Sequence, residues 1–369
     1  NDQLFAPFQF SARSSQNNTQ LQVDSFNLTS VQSLLSLFSA TNQLEWLSQA
    51  NINGDLSAFQ MHWDGDSTNS IYAKISDFGF EPKHTPNKAY LGLENTELEL
   101  FWQNQSGLIS ITDTDGELLT KDTFSQTVEY QELSLDLHLQ QFDEIDAMSI
   151  SVPKLTLKND QIDVSLHSQY LAMNENKGLD YLSLYGEIKG PTQGQIHHYL
   201  PKYLLSEGTY QYLNEAIQQG RGELTQILIA GNPAEMLNKE QAKFEVRSQL
   251  KDGVFRFSEQ WPAIESFNAE LIVDSHIMSI HGEQGQFSAL SINNDITAQI
   301  DLTANNKLVQ LLISPESMPL SGFHQLVSNT PLSEVIGDVF DFVKLEGDAT
   351  TSIQVDIPIG EGDVKVTGD

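Results

Sequence analysis

The chain has 369 residues, 50 acidic against 19 basic, and a formal charge of −31. A surface that negative repels nucleic-acid phosphates and anionic membrane surfaces, which argues against nucleic acid as a partner held by bulk electrostatics. Cysteine is absent, excluding disulfides and thiol chemistry, and no apolar run approaches the roughly 18 residues of a membrane-spanning helix.

The chain opens on Leu4-Phe5-Ala6-Pro7-Phe8, strand material rather than a signal peptide, and stops on Val364-Lys365-Val366-Thr367-Gly368-Asp369. It reads as a segment of a longer protein. From Val31, apolar positions recur at three and four through Leu34, Leu35 and Phe38, break at Thr41 and resume with Leu44 and Leu47. Gly54-Asp55-Leu56 follows. The same pattern returns at Ile196, Tyr199, Leu200, Tyr203 and Leu204, breaks at Thr209, resumes from Tyr212 and reaches Gly222-Glu223-Leu224. A third copy carries Phe323, Leu326 and Val327, breaks at Thr330-Pro331, resumes from Val335 and reaches Gly347-Asp348-Ala349. Thr suits a helix N-cap, Pro331 suits the first helical position, and each Gly turns the backbone from helix into strand. A threefold pattern of helical pair, Gly and strand predicts a modular body.

Between these pairs the chain alternates with period two. Leu133-Ser-Leu135-Asp-Leu137-His-Leu139 is the clearest run; Ile109/Ile111, Leu155/Leu157, Phe255/Phe257, Ile296/Ala298/Ile300/Leu302 and Ile353/Val355/Ile357 repeat it. Turn signals such as Asp115-Gly116, Asp252-Gly253 and Asn293-Asn294-Asp295 separate the runs. Roughly fifteen to eighteen strands with one apolar face predict a mainly β, antiparallel fold. Three arrangements use such faces: a sandwich, a closed barrel, or a long curved sheet left open as a hydrophobic groove. The recurring helical pairs favour the groove, whose exposed apolar surface demands an occupant such as acyl chains.

Little in the chain resembles a reactive site. Asp113-Thr-Asp115-Gly116-Glu117 lacks the ligand ladder of a calcium loop and reads as a hairpin turn between Ile111 and Leu118. His197 and His198 are adjacent on a helix, and His276 and His281 fall on opposite strand faces, so neither pair makes a metal site. No phosphate loop, nucleophile elbow or dinucleotide motif occurs, and the scattered carboxylates read as a solvated face. Trp261-Pro262 reads as an anchor packing its ring on the sheet.

An ordered series from about 195 to 305 goes further. Tyr199-Leu200-Pro201, Tyr212-Leu213-Asn-Glu-Ala216, Gly231-Asn232-Pro233, Phe244-Glu245-Val246, Leu250-Lys-Asp252-Gly253-Val254-Phe255-Arg-Phe257 and Trp261-Pro262-Ala-Ile264 together resemble the central domain of the YhdP branch of the AsmA-like family. Pro86-Asn87-Lys88-Ala89-Tyr90-Leu91-Gly92-Leu93 with Leu98-Glu-Leu100 extends the resemblance upstream. It implies a periplasmic protein of a Gram-negative bacterium, anchored in the inner membrane by a part absent here. Its β-rich body would carry phospholipid acyl chains in a hydrophobic groove toward the outer membrane. It implies no enzyme activity, no cofactor and no metal.

The resulting expectation is three segments: 1–190 with a helical pair near 30–50, 191–315 with one near 196–219, and 316–369 with one near 322–341. The groove lining is expected from Leu133, Leu135, Leu137 and Leu139, from Phe255 and Phe257, from Ile296, Ala298, Ile300 and Leu302, and from Val355 and Ile357. The rival reading is a structural or adhesive β-sandwich or solenoid of the envelope whose apolar faces pack entirely on protein. A carbohydrate-active cleft built on acidic pairs is a third.

Overall fold

A computed structural model of the chain describes residues 9–15, 18–29, 51–64, 68–81, 91–120, 123–124, 127–173, 180–190, 202, 207–288, 290–304, 308–314, 317–331, 333, 346–350, 352–359 and 365–368. Most of these are strand, as the alternation predicts. The chain divides into two units, Asn1–Gly186 and Glu187–Asp369.

Unit one begins with β1 (Phe10–Ser15), β2 (Asn18–Val23), β3 (Phe26–Asn27), β4 (Asn51–Trp63), β5 (Thr68–Glu81) and β6 (Gly92–Gln103). It continues with β7 (Ser106–Asp113), β8 (Gly116–Leu119), β9 (Val128–Tyr130), β10 (Glu132–Phe142), β11 (Ala147–Lys158) and β12 (Asp163–Met173). All pairings are antiparallel and run β1–β2–β4–β5–β6–β7–β10–β11–β12, with β3 also on β4 and β8–β9 alongside β6. Among the described residues no ladder joins β1 to β12, so this sheet is open. β13 (Tyr181–Lys189) crosses the division.

Unit two begins with helix α1 (Glu207–Ala216), which runs straight into β14 (Ile217–Gly231). A 3-10 turn at Pro233–Glu235 leads to β15 (Ala242–Phe255), β16 (Ile264–Asp274), β17 (Ile277–Phe287), β18 (Leu290–Asp301) and β19 (Leu308–Ile313). Next come β20 (Met318–Pro319), helix α2 (Leu320–Ser328), β21 (Asp348–Ala349), β22 (Ile353–Pro358) and β23 (Lys365–Gly368). β14 to β19 form a meander, and β22 and β23 add on after β19. β20 pairs separately with β21.

Of the three predicted helical pairs, the first lies almost wholly outside the described residues. The second contributes α1 and the third α2. Helix α1 spans Glu207–Ala216, and Thr209 falls within that span. Helix α2 ends at Ser328, ahead of the Thr330-Pro331 break, where the backbone N–H of Asn329 donates to the carbonyl of Gln325.

Both units share a bulged corner. Gly54 on β4 has φ 138° and Gly220 on β14 has φ 146°. The next strand carries Asp77 (φ 49°) in unit one and Asp252 (φ 51°) in unit two, and the strand after that carries Asn95 (φ 57°) and Ser266 (φ 49°). Register slips at each of these places. Bulges in line across successive strands bend a sheet and increase its twist. Asn, Asp and Ser serve here because their short polar side chains tolerate the left-handed region better than bulky ones. The two units thus share this corner, and in unit two it is Gly220, not Gly222, that adopts the positive φ.

Candidate functional site

Cross-strand partners in an antiparallel ladder share a face, so register converts strand alternation into rows. In unit one, Phe26, Leu56, Ile75, Leu98, Ile111, Leu135, Leu155 and Leu166 are successive partners. Beside them run Val23, Phe59, Ala73, Leu100, Ile109 and Leu137. A third row holds Leu21, Met61, Ile71, Trp102, Gly107, Leu139, Ile150 and Tyr170. One unbroken apolar face thus spans the unit. The opposite face carries a polar row, Lys74, Glu99, Ser110, Asp136 and Lys154, beside which Phe101 and Leu108 are exposed. There Ser110 Oγ donates to Asp136 Oδ1 at 2.7 Å, and Lys74 Nζ sits 3.4 Å from Glu99.

The predicted lining of unit one lies on this apolar face. Leu133 is buried, while Leu135, Leu137 and Leu139 are half-buried. Among the described residues, the extensive contacts between elements of this unit are all between hydrogen-bonded neighbours. Ile111, from the alternating run Ile109/Ile111, and Ile75 and Leu98 stand in line with Leu135 outside the expected lining. Bulges in β4, β5 and β6 shift the period-two pattern by one residue along those strands, which obscures Ile75 and Leu98 in a reading of alternation alone.

Unit two repeats the rows. Ile227, Val246, Val273, Met278, Ile300, Val309 and Ile357 are successive partners. So are Leu271, Ile280, Ala298, Leu311 and Val355, and likewise Leu250, Ala269, Gly282, Ile296, Ile313 and Ile353. Here the face is covered. Phe255, Phe257, Ile296, Ala298, Ile300, Val355 and Ile357 all belong to one buried cluster, and Leu302 packs against it. Helices α1 and α2 add Leu213, Ala216, Leu326 and Val327 to the same cluster.

Beyond the bulged corner, Ile217, Phe255, Ile264, Phe287 and Leu290 form a further row. The β15–β16 connection lays Phe257 and Trp261 over it. Trp261 stacks on Phe287 at 11° with centroids 6.3 Å apart, and Phe257 lies 5.5 Å from Trp261 and 5.7 Å from Phe287. Trp261 is 2% exposed, the sheet-packed anchor that Trp261-Pro262 indicates. Two buried polar atoms in this region have no partner among the described residues: Trp261 Nε1 and Tyr212 Oη. A buried unpaired donor costs roughly 1–3 kcal/mol. Burial also pushes the Tyr212 hydroxyl pKa well up from its ordinary value.

The remaining titratable groups explain themselves structurally. Tyr130 donates to Asp113 Oδ2 at 2.7 Å, and burial with that carboxylate raises its pKa. Burial and the Asp180 carboxylate push Tyr170 up to about 12. Lys243 bridges Asp274 (2.9 Å) and Glu245 (3.0 Å) on the polar face; it is the main cause of Asp274's lowered pKa, while Arg247 chiefly lowers that of Glu245. The expected hairpin at Asp115-Gly116 is a kink instead: β7 and β8 both run along β6, and the Asp115 N–H donates to the Gln131 carbonyl. His276 lies in the β16–β17 turn and His281 on β17, while His197 and His198 lie outside the described residues. Among the described residues no His, Asp and Glu group could hold a metal ion, and no helix is long and apolar enough to cross a membrane.

The profile of the YhdP protein family matches residues 1–369, the whole chain. The chain belongs to the YhdP family. It is 25% identical over 180 residues to the intermembrane phospholipid transporter YhdP of Escherichia coli (strain K12), covering 48% of this chain and 14% of that protein. The chain therefore spans about one seventh of this YhdP relative's length. No solved structure matches it.

Proposed function

We propose that this chain is a periplasmic section of a bridge-like protein that shields phospholipid acyl chains in a hydrophobic groove between the inner and outer membranes. The observation that carries this reading is the apolar face that runs across unit one from Phe26 to Leu166. An acyl chain gains roughly 0.8 kcal/mol per buried CH₂ from such a surface without a specific polar contact, so many lipids can pass along it. Membership of the YhdP family and the similarity to an intermembrane phospholipid transporter support the same cargo. Anchoring in the inner membrane and delivery to the outer membrane would fall to parts of the full protein outside this chain.

The structural reading has one observation in its favour: in unit two the same rows close into a cluster of the protein's own side chains. A photo-crosslinking amino acid separates the two in cells. Placed at Leu135, Leu137 or Ile300 in the full-length protein, it should capture phospholipid. At Ser134, Asp136 or Gln299, on the other face, it should not. Equal labelling of both sets removes the groove; capture at Leu135 and Leu137 without Ile300 assigns unit two a filled core.

A further inference from the structure

The apolar face of unit one differs at its two ends. Along the strands, one end meets the turns from β4 to β5, β6 to β7, β10 to β11 and β12 to β13; the other meets the bulged corner. At the turn end the face carries aromatic rings with polar tips. Trp63 follows Met61 by two residues on the regular ladder with β2, which places it on the apolar face, and it is 41% exposed. Trp102 stands in the third row with its indole over Gly107: a Cβ on Gly107 would fall 2.5 Å from Trp102 Cε3 and 3.4 Å from Leu139 Cβ. From there Trp102 Nε1 donates to the Asn104 carbonyl in the turn at 2.7 Å. Tyr170 ends the same row on β12, and its hydroxyl donates to the Asp180 carboxylate, which also accepts from the Met173 N–H at 2.9 Å.

The corner end is aliphatic. Leu133, Leu157 and Val164 are successive partners there. Asp113, the other partner of Leu133, already accepts from the Tyr130 hydroxyl, and Tyr130 is 2% exposed. From Leu139 in the third row to Leu133 is six residues of β10, about 20 Å at about 3.3 Å per residue. Half a bilayer's hydrocarbon core, the depth of one lipid's chains, is about 15 Å. The rows themselves run across the strands with no amphipathic end; polarity changes only along the strands. Indole and phenol rings suit such a boundary, with an apolar body and a wet tip. An amphiphile on this face therefore matches it in one orientation.

We propose that Trp63, Trp102 and Tyr170 form a rim against which the glycerol and headgroup of a phospholipid rest, its acyl chains laid along the strands toward Leu133 and Leu157. This rests on the lipid reading above and gives the groove of unit one a side: headgroups emerge at the turns and not at the corner. The three are positioning residues that set the register of the cargo.

The test uses the complete 369-residue chain in mixed micelles with two forms of diacyl phosphatidylethanolamine. One carries a photoactivated diazirine on its headgroup, the other at the end of an acyl chain, and crosslinked residues are mapped by mass spectrometry. The headgroup probe should label residues 63–64, 102–105 and 170 about tenfold more than 133 and 155–157, since the aliphatic end offers a charged phosphate no open polar partner. The acyl probe should show the reverse preference. Trp102→Leu keeps an apolar side chain without the polar tip; it should bring the headgroup ratio down to about threefold while total acyl labelling holds, and Trp102→Tyr should restore the ratio. Coincident labelling by the two probes, or a headgroup probe found at the corner end, overturns the rim while leaving the groove intact, and this wild-type map decides whether or not the variants fold. A ratio that Trp102→Leu does not move overturns the positioning role of Trp102. Absence of label from the apolar face with both probes sinks the transport reading and the rim with it.

Discussion

Gly54 and Gly220 hold the same place in the two units, at the corner where every neighbouring strand slips register. A Cβ on Gly54 would sit 2.8 Å from Ile75 Cγ2 and 3.1 Å from the Phe78 Cα; on Gly220 it would meet Leu250 Cδ1 at 2.5 Å and the Gly253 Cα at 3.2 Å. The backbone contacts cannot relax as a side chain can, and the φ values disfavour any L side chain. Gly54→Ala should therefore lower stability by about 1–3 kcal/mol in urea unfolding. Gly186→Ala, whose Cβ would meet nothing closer than 3.7 Å, should be near neutral. Equal effects would show that the corner is not strained. Gly54-Asp55-Leu56 was legible as a signal in the sequence. Its partner was read two residues late, because Gly222 and Gly220 both follow α1 closely and only the ladder with β15 shows which one adopts positive φ.

β10 shows how a strand sets its own two faces. Leu135 lies between Ile111 and Leu155, whereas Asp136 lies between Ser110 and Lys154. Leu135→Asp puts an unpaired carboxylate into an apolar row and should destabilise the chain by about 2–4 kcal/mol. Asp136→Ala removes one exposed hydrogen bond to Ser110 and should cost under about 1 kcal/mol. Similar losses for the two would mean that the row is wet and not apolar. The alternating stretches 133–139 of β10 and 296–300 of β18 were readable residue by residue, since pleating is local geometry. β4 to β6 were not, because each bulge reverses the phase of alternation partway along the strand.

At the scale of the whole chain, both units build rows from strands widely separated in sequence, but they finish differently. Unit two draws α1, α2 and an aromatic connection into its cluster; the extensive contacts described in unit one run only between paired strands. If these faces receive phospholipid, lipid that binds the folded chain and not the unfolded one must stabilise it. Phosphatidylethanolamine at about 100 times its Kd should raise the unfolding free energy by about 2.7 kcal/mol, read as an upward shift of the urea midpoint. A midpoint indifferent to lipid would contradict the groove.

The amino-acid sequence by itself determined the β class, the apolar side of each regular strand and the family, because pleat, turn chemistry and motif order are properties of short stretches. Only the tertiary structure decided that Leu56 and Leu166 end up in one row, that Gly220 forms the second corner, and that Trp261 stacks on Phe287 with its N–H unpaired. Those outcomes depend on which strands pair and in what register. Closing a longer loop changes the free energy only slightly, so many pairings are nearly equivalent locally, and only the packing of all strands together selects one.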